Sequence, residues 1–156
     1  MLQQLLPKWL DQLGQKMNQD FKLFKNPPNH VLINEYLVNQ GINPHKDGPI
    51  YEPFVMCLSI LSPILITFTP DQTLKDMQPF SVLLEPRSLI IFQDTVYENY
   101  LHGILENDSF FLNEKDNIIN LEQTNSKIGD NIKRETRISL TFRNVKKTMK
   151  NNLIKL

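Results

Sequence analysis

"RISLTFR", residues Arg137 to Arg143, alternates without a break. Ile138, Leu140 and Phe142 take one set of positions, and Arg137, Ser139, Thr141 and Arg143 take the other. An extended strand sends successive side chains to opposite faces, so two arginines and two hydroxyls share one face with an apolar face behind them. The period of two predicts a strand and leaves open what lies against its polar face. Water is the plain answer, because half-buried antiparallel strands read this way. A ligand held between two sheets is the other.

The neighbouring segments extend the β reading. "HVLINEYLV" (His30 to Val38) places Asn34 and Tyr36 on the same face as Leu32 and Val38. Polar groups in an apolar row need partners, which can be each other, the backbone or a ligand. "YEPFVMCLSIL" and "PILITFTP" are separated at Ser62-Pro63, and "FSVLLE" and "SLIIFQ" by Glu85-Pro86-Arg87, a compact turn suited to a hairpin-like connection. With "YENYLHGIL" and the final strand, the pattern gives about seven or eight short strands. One amphipathic helix precedes them, with Leu6, Trp9, Leu10, Leu13 and Met17 at helical spacing and Pro7 in its first turn. "KNPPN" (Lys25 to Asn29) stops it. The expected fold is mainly β, a sandwich or jelly roll with an N-terminal amphipathic helix.

Residues 1–156 read as one domain. Residues 106–133 are rich in Asn and Asp without sustained periodicity, and are expected to form a flexible, partly disordered surface insertion. "RNVKKTMKNNLIKL" carries five basic residues and no acid, so 146–156 is expected to be a solvated basic tail. Seventeen basic and seventeen acidic residues balance, which excludes a strong global field toward nucleic acid or membrane. The single cysteine, Cys57, excludes an internal disulfide framework and reads as an apolar filler in "FVMCLSI". The apolar runs are too short to span a bilayer, and the start lacks the marks of a secretory signal. The expectation is a soluble intracellular monomer, in cytoplasm and/or nucleus.

Three histidines occur: His30, His45 and His102. In "NPHKDGP" (Asn43 to Pro49), His45 and Asp47 share a face if the stretch is extended, and His102 in "YLHGI" could point inward. His30 is expected at the surface start of a strand. Two histidines and one carboxylate form the facial triad that holds non-haem Fe(II) with open coordination positions. Open positions suit a chelating 2-oxo acid and dioxygen. Arginine is the residue that clamps a distal carboxylate, since its planar fork stays charged when buried.

In this order the pieces "NEY", "HKD", "LHGI" and "RISLTFR", with seven residues from Arg137 to Arg143 inclusive, resemble the AlkB family of Fe(II)- and 2-oxoglutarate-dependent dioxygenases. "NHVLINEYL", "PHKDGPIYEP", "LLEPRSLIIF" and "TRISLTFR" are similar to its eukaryotic sixth-homologue subgroup. The likeness covers about residues 6–105 and 134–145. It implies a double-stranded β-helix jelly roll with iron between the sheets, held by His45, Asp47 and His102. It further implies that Arg137, aided by Tyr36, holds the distal carboxylate of 2-oxoglutarate. Arg143 would sit near the chelating end and orient Asp47, with Asn34 as another contact. Ser139 stands where several members carry asparagine, and Thr141 would pack. No catalytic residue beyond the metal ligands is implied. The implied reaction couples oxidative decarboxylation of 2-oxoglutarate to hydroxylation of a C–H bond, and on N-methylated RNA or DNA it releases formaldehyde. The family's N-terminal segment, which contributes a nucleotide-recognition lid, is expected to be missing. The alternative expectation is therefore a weak or inactive binding module, or a protein-directed oxygenase.

Overall fold

The computed structural model describes residues 5–22, 24–74 and 76–146, so all but the first residue of the expected basic tail lies outside the described residues. The chain runs α1 (Lys8–Phe21), β1 (His30–Tyr36), β2 (Ile42–His45), β3 (Phe54–Leu61), β4 (Ile64–Pro70), β5 (Phe80–Leu84), β6 (Leu89–Gln93), α2 (Asp94–Asn99), β7 (Tyr100–Ile104), β8 (Ser109–Phe111), β9 (Asn131–Lys133) and β10 (Arg137–Arg143). Two four-stranded antiparallel sheets form the jelly roll, in the orders β1-β10-β3-β6 and β2-β7-β4-β5. β8 and β9 make a separate two-stranded ladder.

One turn does something other than expected. β5 pairs with β4 and β6 with β3, so Glu85-Pro86-Arg87 carries the chain from one sheet to the other and closes no hairpin. Ser62-Pro63 makes the same crossing between β3 and β4. Leu61 and Arg87 turn these corners at φ 72° and 69°, a left-handed conformation uncommon for residues other than glycine. "YENYLHGIL" also divides, because Tyr97, Glu98 and Asn99 finish α2 and only Tyr100 onward is strand.

Both faces of β10 are covered. Leu140 and Phe142 pack with Phe54 and Met56 under α1, which contributes Leu10 and Met17. Trp9 is exposed, one position off this buried stripe. On the other side, Arg137, Ser139, Thr141 and Arg143 face an interior shared with Val55, Ile66, Phe92 and His102 of both sheets. All four polar residues are buried, so the polar face does not look into water.

Residues 106–133, expected as a flexible insertion, pack against the second sheet. Phe110 and Leu112 pack on Leu83 in a third cluster, and Leu112 is fully buried. The Asn120 side chain accepts from the Leu83 N–H at 2.9 Å and donates to its carbonyl at 2.8 Å, continuing β5's hydrogen bonding with a side chain. Asn113 and Asp116 close a capping box on a single 3-10 turn. The many Asn and Asp residues thus close turns, which gives order without periodicity. Leu112→Ala is expected to lower folding stability by about 2–5 kcal/mol, measured by urea denaturation.

Candidate metal and co-substrate site

β2 is an edge strand, where Pro44 costs no ladder hydrogen bond, and it pairs with β7. His45 and His102 are direct cross-strand partners, with ring centroids 4.4 Å apart. Gly103 allows this approach, since a Cβ there would lie 3.0 Å from the Pro44 nitrogen and 3.1 Å from the Ile42 carbonyl oxygen. The chain then leaves β2 and returns Asp47 to the same point. The ligand atoms of His45, Asp47 and His102 all lie within 4.8 Å of one another.

Each of the three candidate ligands has surroundings that suit it to a metal. His45 Nδ1 lies 2.8 Å from the Asn43 carbonyl oxygen, which can only accept, so Nδ1 carries the proton and Nε2 keeps its lone pair. Burial holds the His102 pKa down, to about 4, and the neighbouring His45 and Arg143 act in the same direction. His102 is therefore neutral near pH 7, the form that ligates a metal. Arg143 Nη2 pairs with Asp47 Oδ1 at 2.6 Å, and both side chains are buried. Asp47 Oδ2 is buried with no hydrogen-bond partner among the described residues, which fits a carboxylate with one oxygen reserved for a cation. Burial pushes the Asp47 carboxyl up, while Arg143, His45 and His30 pull it back.

Lys46, between His45 and Asp47, turns outward to the Asp71 carboxylate, which also accepts from Thr73 N–H. The hydrogen bond from Lys46 and those from Thr73 hold Asp71 down to about 2. A carboxyl depressed in the folded state stabilises above its unfolded pKa, near 3.8, and loses that contribution as pH falls toward 2. Asp71→Asn is accordingly expected to flatten the decline of the urea midpoint between pH 4 and pH 2. At this surface position the effect is small.

The other end of the interior is cationic. Arg137 is 2% exposed, its Nε donates to Ser59 Oγ at 2.9 Å, and its guanidinium lies 5.3 Å from the Tyr36 ring centroid. No carboxylate among the described residues forms an ion pair with it. The cross-strand pairs Leu32–Thr141, Asn34–Ser139 and Tyr36–Arg137 set the β1 and β10 side chains in register along one wall. Asn34 Nδ2 donates to Tyr36 Oη at 3.3 Å, so these two partner each other. A candidate metal triad at one end and a buried guanidinium with no acidic partner among the described residues at the other would accept a chelating ligand with a distal carboxylate.

The model of the 2OG-Fe(II) oxygenase superfamily matches residues 3–143. The chain belongs to this superfamily. Its AlkB-type relatives include a zebrafish (Danio rerio) protein named "Probable RNA/DNA demethylase ALKBH6", 38% identical over 162 residues, covering 98% of this chain and 68% of that protein. A mimivirus protein, "Uncharacterized protein L905" of Acanthamoeba polyphaga mimivirus, is 32% identical over 141 residues, covering 90% of this chain and 59% of its own length. Among solved structures, OsALKBH1 shares the fold at TM-score 0.53 and 17% identity, over 89% of this chain and 64% of that one.

Three residues of this oxygenase escaped the sequence reading. His30 is not simply a surface strand start, because it lies opposite Arg143 in the β1–β10 register and its Nδ1 is buried without a partner. The signal was present in the i, i+2 row His30, Leu32, Asn34, Tyr36, which continues the cavity face of the strand by one step. Tyr51 backs the same corner, with the Arg143 guanidinium 4.9 Å from its ring centroid. Cys57 lines the interior and accepts a 3.6 Å hydrogen bond from Thr141 Oγ1, so both residues belong to the cavity wall. Nothing local in "FVMCLSI" distinguishes that role from apolar packing.

Proposed function

We propose that this chain is an Fe(II)- and 2-oxoglutarate-dependent dioxygenase that removes N-methyl groups from nucleic acid by oxidation. The observation that carries the reading is the buried, unpartnered Asp47 oxygen, grouped with two histidines, in an interior whose far wall holds Arg137 without a carboxylate partner. His45, Asp47 and His102 would hold the iron. Iron with 2-oxoglutarate supplies the activation of dioxygen needed to oxidise a C–H bond.

The chain's own residues do the rest. Arg143 occupies one Asp47 oxygen and aims the other at the metal position. Arg137 receives the distal carboxylate in a charge-assisted fork, with Tyr36 over the guanidinium. Asn34 and Ser139 face each other between these ends and offer polar contacts along the co-substrate. Val55, Ile66 and Phe92 line the opposite wall and keep water out. Nucleic acid as substrate is supported by the name of the zebrafish relative, and methyl removal by the release of formaldehyde from a hydroxylated N-methyl group. No helix among the described residues is long and apolar enough to cross a membrane.

The test is an anaerobic titration with Fe(II) and then 2-oxoglutarate, followed by visible absorption. A charge-transfer band requires both components in one site. Admitting air and N-methylated oligonucleotides should then yield succinate and formaldehyde in equal amounts. A folded protein without the band rules out the oxygenase reading. A band without formaldehyde from any methylated RNA or DNA removes only the substrate.

A further inference from the structure

Arg134 lies three residues before Arg137 and is equally buried, at 4% exposure. It too has no carboxylate in ion-pair contact among the described residues. Its Nη1 donates to the carbonyls of Leu105 at 2.9 Å and Asn107 at 2.8 Å and to Asn107 Oδ1 at 3.0 Å, and its Nη2 donates to the Gln40 carbonyl at 2.5 Å. These oxygens satisfy the donors but cancel no charge. A buried cation left uncompensated is costly to the fold, and such groups persist where something else uses the charge.

The acceptors identify what that is. Gln40 belongs to the loop between Tyr36 and Ile42, and Leu105 follows Ile104 at the end of the strand that carries His102. Arg134 ties these two loops to the start of β10, the strand that carries Arg137. Gly41 shows how tightly they are drawn together, since a Cβ there would press into the Ile104 carbonyl oxygen. The same loop lines a polar cleft of about 510 Å³, which shares Asn34, Tyr36 and Ile42 with the inner cavity. The loop therefore adjoins the Tyr36 wall of that cavity. Burial and the nearby Arg137 charge both bear on Arg134, lowering its pKa, as expected for two cations close together in one desolvated region.

We propose that Arg134 is a positioning residue for the co-substrate's distal carboxylate, fixing the Tyr36 wall and adding a second positive charge behind Arg137. This rests on the oxygenase reading above. It assigns to Arg134 an effect on ligands with a distal carboxylate and none on chelation at the metal.

The test compares 2-oxoglutarate with 2-oxobutyrate, which has the chelating end and lacks the distal carboxylate. Each is titrated anaerobically into the Fe(II) protein and followed by the charge-transfer band. Arg134→Met is expected to weaken 2-oxoglutarate by about tenfold, the order for a full charge a few side-chain lengths away in a partly desolvated site. Binding of 2-oxobutyrate should stay at the parent's value. Arg134→Lys, which retains the charge without the fork, should recover part of the loss. Parental 2-oxoglutarate affinity in Arg134→Met overturns the proposal, and so does an equal loss for both acids, which would mark general structural damage. Should Arg134→Met not fold, Gly41→Ala displaces the same loop with the arginine in place. It is expected to show the same selective loss, and equal binding of both acids relative to the parent overturns the proposal. No band from the parent itself removes the oxygenase reading, a result distinct from a parental band that the variants leave unchanged.

Discussion

His102→Ala is expected to abolish the charge-transfer band formed with Fe(II) and 2-oxoglutarate, and turnover with it, in a protein that remains folded. His102 faces His45 across the β2–β7 pair, and the ligand atoms of the triad converge within 4.8 Å. Replacing the partners behind metal ligands commonly costs about 10–100-fold in metal affinity, so deleting a ligand should cost more than about 100-fold. The strand itself depends on backbone pairing with β2 and β4, which alanine preserves. Isothermal titration with Fe(II) under argon measures the affinity, and far-UV circular dichroism checks the fold. A variant that retains the parent's band would show that the metal, if bound, sits elsewhere.

Arg137→Met should act at the opposite end and leave the metal affinity alone. The ligand's distal carboxylate would be buried without its charge-assisted partner, a loss of roughly 2–5 kcal/mol. That corresponds to an increase of about 30- to 5,000-fold in the 2-oxoglutarate concentration needed for half-saturation. Fe(II) binding without 2-oxoglutarate should be unchanged. The same substitution has a second expected consequence. Arg137 is buried with Ser59 as its hydrogen-bond partner and no acid in ion-pair contact among the described residues, so an apolar side chain of similar length should leave the metal-free protein at least as stable. Loss of co-substrate affinity together with retained or raised urea resistance would separate a ligand-binding arginine from a structural one. A parental half-saturation concentration would place the distal carboxylate elsewhere.

Much of the site was legible because strand alternation is visible in one dimension. Arg137, Ser139, Thr141 and Arg143 fall on one face by the pleat alone, and Asn34 and Tyr36 do likewise on β1. The order and spacing of these residues, with "HKD" and "LHGI", sufficed for the AlkB resemblance that the superfamily match upholds. The hydrophobic pattern likewise announced α1 and most strands. His30 escaped because its row was followed from Leu32 onward and not from the first strand residue. Trp9 was misplaced because a helical stripe drawn from spacing has no sharp edge. The packing of residues 106–133 was hidden because Asn and Asp close turns through side-chain hydrogen bonds, which have no period.

By itself the sequence determined most of the strands of the two main sheets, which of their side chains share a face, and which types could bind a metal and a carboxylate. These are local properties of a pleated chain. Tertiary structure alone decided that β10's polar face meets a second sheet instead of water, because that depends on α1 covering the opposite face. It decided that Pro86 and Pro63 carry the chain between sheets, since pairing partners are chosen by packing across the whole molecule. It also brought Arg143 to Asp47 and Arg134 to Gln40, contacts between residues 96 and 94 positions apart. Such contacts have no trace in a window of sequence, because nothing local distinguishes an arginine that will be buried from one that will stay in solvent.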